Sequence, residues 1–380
     1  MQRREFLELG AAALLAARWS ATVGAAQSGP SKDRLKVDAY SRHLQWLRSA
    51  DDVAQAAIEM GFDGVNLTVR PYPGHVDPEN VARELPPFVN AIRKRGLLVR
   101  SITTNISDAD SPNAESILAA ASALGVTHFW WGTYRYDMSK AILPQLDALK
   151  PRVANIAAIS EKYGIKAMYH TYSMPGTVGS VMWDLLALLR DHDPRFVGFH
   201  YDTGHEAHHF NGMWETNLRA AGPYIAALAV KDFAPEQELG LKGEGGPYTG
   251  PIGGLAGGRG EGPPPGAGGR GGPGRGDAPA GQGGRGGRGA PGAPGSTWAA
   301  GNGWRSRQVP LGMGVVNLPQ LALALKDIGF SGPLEIQAEY PNGGAENAQD
   351  AITLPRAQVL GAMKRDLLTL KKGFAASGLL

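Results

Sequence analysis

The sequence predicts an α/β protein whose strands are parallel and closed into a (β/α)8 TIM barrel. Eight short β-rich runs recur along it, helical patterns separate them, and glycine marks several of the helix-to-strand junctions. Strands that alternate with helices pair in parallel through right-handed crossovers, and eight of them favour a closed barrel over an open doubly wound sheet.

Residues 35–39 read as the first strand. Ser49 can then cap a helix over 51–60, whose Val53, Ala56, Ala57 and Met60 share one face and which Gly61 ends. The second strand is expected at 64–69, the second helix at 79–94, the third strand at 97–103 and the third helix at 114–124. Strands at 126–131 and 166–169 alternate with helices at 142–163 and 178–190. The last strands fall at 196–201, 226–230 and 334–338, with helices at 319–328 and 355–374. Gly96, Gly125, Gly164 and Gly329 sit where helices should stop.

Two stretches stand outside this alternation. Arg3-Arg4-Glu5-Phe6-Leu7 precedes an apolar stretch at 9–17 and a small-residue run at 21–26, the layout of a twin-arginine signal peptide over 1–26 cleaved after Ala26. Gln2 and Glu8 depart from the usual signal, and the apolar stretch is too short for a stable membrane span. The expected location is therefore periplasmic or secreted, by an export route that carries folded proteins and so suits a metalloprotein. The barrel domain is expected over 33–380, interrupted at 243–297 by a segment of Gly, Pro, Ala and Arg that cannot offset the entropy of ordering itself. It reads as a disordered insertion after strand seven.

Composition removes several functions. The 380 residues carry a net charge of +3, and part of that excess lies in the leader and in the insertion, so no nucleic-acid groove is implied. The Arg-Gly pattern around Arg285 and Arg288 is read as solvated chain rather than as an RNA-binding tail. There is no cysteine, which excludes disulfides, thiolate metal sites and cysteine nucleophiles. Any metal must be held by oxygen and imidazole nitrogen.

The candidate site begins at the end of the sixth strand, where the apolar run stops at Asp202, Gly204 and His205. A carboxylate there faces the barrel mouth or caps the following helix, and His205 is a metal ligand, a general acid/base or a loop histidine. His170 ends strand five, either as a site residue or as a satisfied interior histidine. Alternation puts Glu335, Gln337 and Glu339 on one side of the last strand, with only Glu339 reaching the top. Lys231 should point into the mouth unless it pairs with its neighbour Asp232. His43, Arg70 and His75 follow the first two strands and are candidate substrate contacts, while Trp46, Trp130, Trp131 and Trp183 either stack on a substrate ring or pack in the core.

These residues fall within segments that resemble the sugar phosphate isomerase/epimerase family of xylose-isomerase-like TIM barrels, especially its exported twin-arginine branch. The segments are Ser41-Arg-His-Leu-Gln-Trp46, Leu67-Thr-Val-Arg70 with Gly74-His75, Tyr169-His-Thr-Tyr172, Tyr201-Asp-Thr-Gly-His205, Val230-Lys-Asp-Phe233, Val309-Pro-Leu-Gly312 and Glu339-Tyr-Pro with Gly344-Ala-Glu346. The resemblance implies a sugar isomerase or epimerase assisted by a divalent metal (Mn, Mg or Zn), with Asp202 matching a metal aspartate and Glu339 standing where the eighth strand supplies a metal glutamate. Ala229 stands where relatives often carry a histidine ligand, and Gln337 where the exported branch commonly has one.

The expected chemistry is proton abstraction beside the carbonyl of a free or oxidised sugar. Glu339 and His205 are the expected proton-transfer groups. Positive charge for the enediolate comes from a divalent ion on Asp202, His205, Glu339 and His170, or from Lys231 in its place. Two alternatives share the site: a lyase that cleaves 3-oxo-glycosides by elimination, and a non-catalytic exported sugar-binding protein.

Overall fold

In a computed structural model, residues 34–210, 212–237 and 304–380 are described. The expected leader (1–26) and insertion (243–297) lie outside the described residues. The order begins β1 (Val37–Tyr40), α1 (Ala50–Met60), β2 (Gly64–Thr68), α2 (Val81–Lys94), β3 (Ser101–Thr103), α3 (Ala114–Ala123), β4 (His128–Trp131), α4 (Ile142–Tyr163), β5 (Lys166–His170) and α5 (Met182–Leu189). It continues through β6 (Val197–Asp202), α6 (Thr203–Phe210), α7 (Trp214–Ala221), β7 (Ile225–Val230), β8 (Asp232–Gln237), β9 (Trp304–Val309), α8 (Leu318–Asp327), β10 (Leu334–Ile336) and α9 (Arg356–Phe374).

Seven strands follow one another around a closed parallel barrel, and β10 closes it between β7 and β1. All eight barrel strands lie where the sequence places them, because strands buried on both faces read as compact apolar runs. In α1, Ser49 Oγ accepts from the Asp52 N–H at 3.1 Å, and Gly61 ends the helix at φ 87°. Val53, Ala56, Ala57 and Met60 are buried, as their spacing requires. The principal core lies between strands and helices, where Leu67, Phe129 and Phe199 meet Leu85, Ile156 and Leu367.

Three differences from expectation have local causes. The helix expected over 178–190 begins only at Met182, because Gly176 and Gly179 take φ values of 72° and 83° and the Val178 N–H bonds to the Tyr134 carbonyl in a loop. The polar stretch after β6 forms α6 and α7, which no apolar periodicity announces. Beyond β7 the chain leaves through β8 and returns through β9, an antiparallel two-stranded ribbon separate from the barrel sheet. Asp232 anchors the return: its carboxylate accepts the N–H groups of Gly312, Gly314 and Val316, each at 3.0 Å.

Candidate active site at the barrel mouth

Asp202 ends β6, and its two oxygens have different tasks. Oδ1 accepts the His205 N–H at 2.9 Å and so caps α6. Oδ2 faces His170 Nε2 at 3.3 Å and Lys231 Nζ at 3.0 Å. Both readings of this aspartate therefore hold, one for each oxygen.

Lys231 follows β7 and is 4% exposed. Its ammonium stands 3.0 Å from Asp202 Oδ2, 3.0 Å from His205 Nε2 and 2.9 Å from Glu339 Oε2. It does not pair with Asp232, whose oxygens are taken by backbone N–H groups. An ammonium only donates, so His205 Nε2 is the acceptor and the imidazole proton sits on Nδ1, donated to Ser173 Oγ at 2.7 Å. Thr203 Oγ1 donates to the Lys231 carbonyl at 2.7 Å and accepts its N–H at 3.1 Å, tying β7 to the start of α6. Gly204 is required by this packing: a Cβ there would come 2.6 Å from Lys231 Cγ and 2.9 Å from the Phe233 ring.

Electrostatics follow from that contact. Burial is the strongest single influence on the Asp202 and Glu339 carboxyls and pushes both up, but Lys231 together with His205 and His170 at Asp202, and together with Arg42 and His43 at Glu339, leaves Asp202 well below the usual carboxylate range and Glu339 at about 2. Burial would depress the Lys231 ammonium, yet the same two carboxylates hold it above its ordinary value. Burial and the Lys231 charge lower His205 to about 3, and burial lowers His170, so both imidazoles are neutral near pH 7.

Among the described residues, His170, Asp202 and His205 are the group that could hold a metal, their ligand atoms lying within 4.8 Å of one another. Glu339 stands outside that group, its Oε2 joined to Lys231 and to Gln308 Nε2 at 2.9 Å. The donor set fits a divalent ion: two neutral imidazoles and a carboxylate whose Oδ2 is buried with no aligned hydrogen bond. Lys231 uses two of the same atoms, so ammonium and ion compete for them.

The other expected contacts divide. His43 is 2% exposed, with Nδ1 3.4 Å from the Ala345 carbonyl and Nε2 buried without a partner, and burial, then the Arg42 charge, lowers it to about 4. Arg70 has a buried, unpartnered Nε, and its charge reaches the Tyr40 and Tyr172 phenols. His75 is not brought to the cluster: Thr68 Oγ1 at 2.8 Å and the Leu47 carbonyl at 3.0 Å take both ring nitrogens, and it lines a cavity of about 520 Å³ with Arg48, Arg70 and Tyr72. Trp130 stacks on His170 at 4.1 Å between ring centres, and Trp131 is in the core.

Beneath the mouth lies a second polar level. His200 Nδ1 is 3.3 Å from His170 Nδ1, and its Nε2 is 3.6 Å from Glu335 Oε1. Glu335 accepts from Asn66 and, at 2.7 Å, from Gln337. The Asn66 bond joins β2 to β10 and the His200 contact brings β6 to β10, although other strands lie between, so both cross the barrel interior. Burial raises Glu335 to about 8 and lowers His200 well below its ordinary value, which keeps both neutral at pH 7. His200 sits two residues before Asp202 and shares its face, a signal that strand alternation offers. Gln308 and Ser173 had no such signal.

Similar folds are known. A D-psicose 3-epimerase from Clostridium cellulolyticum H10, solved with D-tagatose, superposes with a TM-score of 0.55 at 11% identity, over 90% of this chain and 99% of that one. A 3-keto-D-glucoside 4-epimerase from E. coli gives 0.54 at 11% identity, over 89% and 100%. An IOLI protein solved with a zinc atom gives 0.55 at 14% identity, over 90% and 100%. No curated protein matches the chain by sequence. A barrel with this mouth agrees with the match of residues 54–358 to the family described as "Xylose isomerase-like TIM barrel", and the chain belongs to that family.

Proposed function

We propose that this protein is a sugar isomerase or epimerase that removes a proton beside the carbonyl of a free or oxidised sugar. The observation that carries the reading is the meeting of Lys231 with Glu339, Asp202 and His205 at 2.9 to 3.0 Å, a cation and a permanently ionised carboxylate side by side at the mouth. Sugar epimerases among the similar folds support it.

Glu339 is the base. Its Oε2 already accepts from Lys231 and Gln308, which leaves Oε1 to take the proton from carbon. Lys231 places positive charge beside the oxygens of the resulting enediolate. Epimerisation needs reprotonation on the other face, and His205 is assigned that step: its Nε2 takes a proton from Lys231 and passes it to carbon, and the proton that Glu339 has removed restores the ammonium. A divalent ion on His170, Asp202 and His205, whether Mn, Mg or Zn, would polarise the carbonyl when bound. His43 and Arg70 would bind substrate hydroxyls through their unpartnered nitrogens. Export by the leader, with the mature chain starting near residue 27, completes the proposal, and the mass of the secreted chain tests it.

The decisive experiment incubates the enzyme with D-psicose, D-fructose and 3-oxo-D-glucose in deuterium oxide. Deuterium should enter at the carbon beside the carbonyl, and Glu339→Gln should lower turnover about 10²-fold or more. Turnover without deuterium entry, at a near-normal rate in Glu339→Gln, would overturn the reading. Release of an aglycone from 3-oxo-glucosides would instead assign elimination.

A further inference from the structure

We propose that Gln308 is a substrate-contact residue whose amide carbonyl receives a sugar hydroxyl while its amide nitrogen positions Glu339. The inference rests on the sugar reading above.

Gln308 lies in β9, paired with Phe233 across the ribbon, and is 3% exposed. Its Nε2 donates to Glu339 Oε2 at 2.9 Å. An ionised carboxylate only accepts, so the amide must turn its NH2 towards Glu339 and its carbonyl away. That carbonyl oxygen is buried and has no partner in the protein. A buried acceptor left unpaired is costly, and turning the carbonyl elsewhere would break the Nε2 bond to Glu339.

His43 Nε2 is also buried and unpartnered, on a ring that interacts electrostatically with Glu339. An unsatisfied acceptor on the side chain that holds the base suits a ligand dense in hydroxyls. Gln308 Oε1 demands a hydrogen-bond donor, and the donors of a sugar are its hydroxyls, so a deoxy carbon or an ether oxygen at that point leaves it unpaired. Gln308 thus discriminates for a hydroxyl near the carbon that loses its proton.

The test combines binding and turnover. D-psicose, D-fructose and 3-oxo-D-glucose are titrated calorimetrically into wild type and Gln308→Met, and the tightest probe is then compared with its monodeoxy analogues. Gln308→Met should weaken binding or raise KM about tenfold and lower kcat, and one deoxy analogue should lose about tenfold on wild type while the variant no longer distinguishes it. A purely structural role would not erase that single discrimination. Probes that bind without turnover, yet lose affinity in the variant, sustain the contact and sink the epimerase reading. Unchanged affinity and turnover in Gln308→Met overturn the proposal and leave the reading standing, and a wild type that binds no probe overturns both. Should the Met variant fail to fold, Gln308→Asn keeps the amide with a shorter reach and should weaken binding in the same direction.

Discussion

Glu335 and Glu339 leave the same segment of chain four residues apart, are both packed against polar neighbours, and sit in opposite protonation states. Glu335, inside the barrel among Asn66, Gln337 and the neutral His200, is pushed up to about 8. Glu339, one level higher, is held at about 2. Burial acts on both in the same direction, so the difference is the positive charge around the upper one, from Lys231 in direct contact and then from Arg42. Proximity to cations, with one ammonium foremost, rather than depth alone, separates an inert carboxylic acid from a candidate base.

The harshest way to break this contrast is Lys231→Met. It strands two carboxylates around a missing cation, and removing one partner of a buried pair should cost about 3–5 kcal/mol in chemical denaturation. It also frees Asp202 and His205, so zinc or manganese should bind the variant more tightly than wild type in a calorimetric titration. A fully stable variant with unchanged metal affinity would show that Lys231 is not the organising charge.

Glu339→Gln and Glu335→Gln test the two levels separately. The first should lose about 10²-fold in turnover, the second should stay within a few-fold, since a protonated Glu335 already resembles glutamine. Equal losses would erase the distinction between mouth and interior.

Stability against pH sharpens it further. Glu335 binds its proton more tightly folded than unfolded, so its contribution is complete below pH 4.5 and is lost as pH rises towards 8, a fall of about 1.4 kcal/mol per unit. Glu339 runs the other way: its contribution is present above pH 4.5 and is lost as pH falls towards 2. Denaturation of Glu335→Gln from pH 5 to 8 should show a flatter dependence than wild type. The smallest effect is expected from excising residues 250–295 with a short linker, which should change stability by no more than ~1 kcal/mol if the segment adds no core.

The barrel was legible because its strands are short apolar runs punctuated by glycine, and Asp202, His205, His170 and Lys231 were legible because each follows or ends such a run. What the sequence hid were partners brought from afar. Gln308 reaches Glu339 from a ribbon that no hydrophobic period marks, and Ser173 accepts the His205 Nδ1 proton from the loop after β5. His75 shows the converse: its position after β2 suggested substrate, but nearby acceptors and hydroxyls in its own neighbourhood engage the ring first.

The polar interior has a bearing on how faithfully the barrel assembles. Inward positions carry Asn66, His200 and Glu335, whereas positions facing the helices carry Leu67, Phe199 and Leu334. A one-residue slip of any of these strands would exchange the two sets, thrusting ionisable groups into the apolar shell and apolar rings among unpaired carboxyls. The network that crosses the barrel therefore serves as a check on register during closure, penalising every misaligned sheet whatever its value to the finished fold.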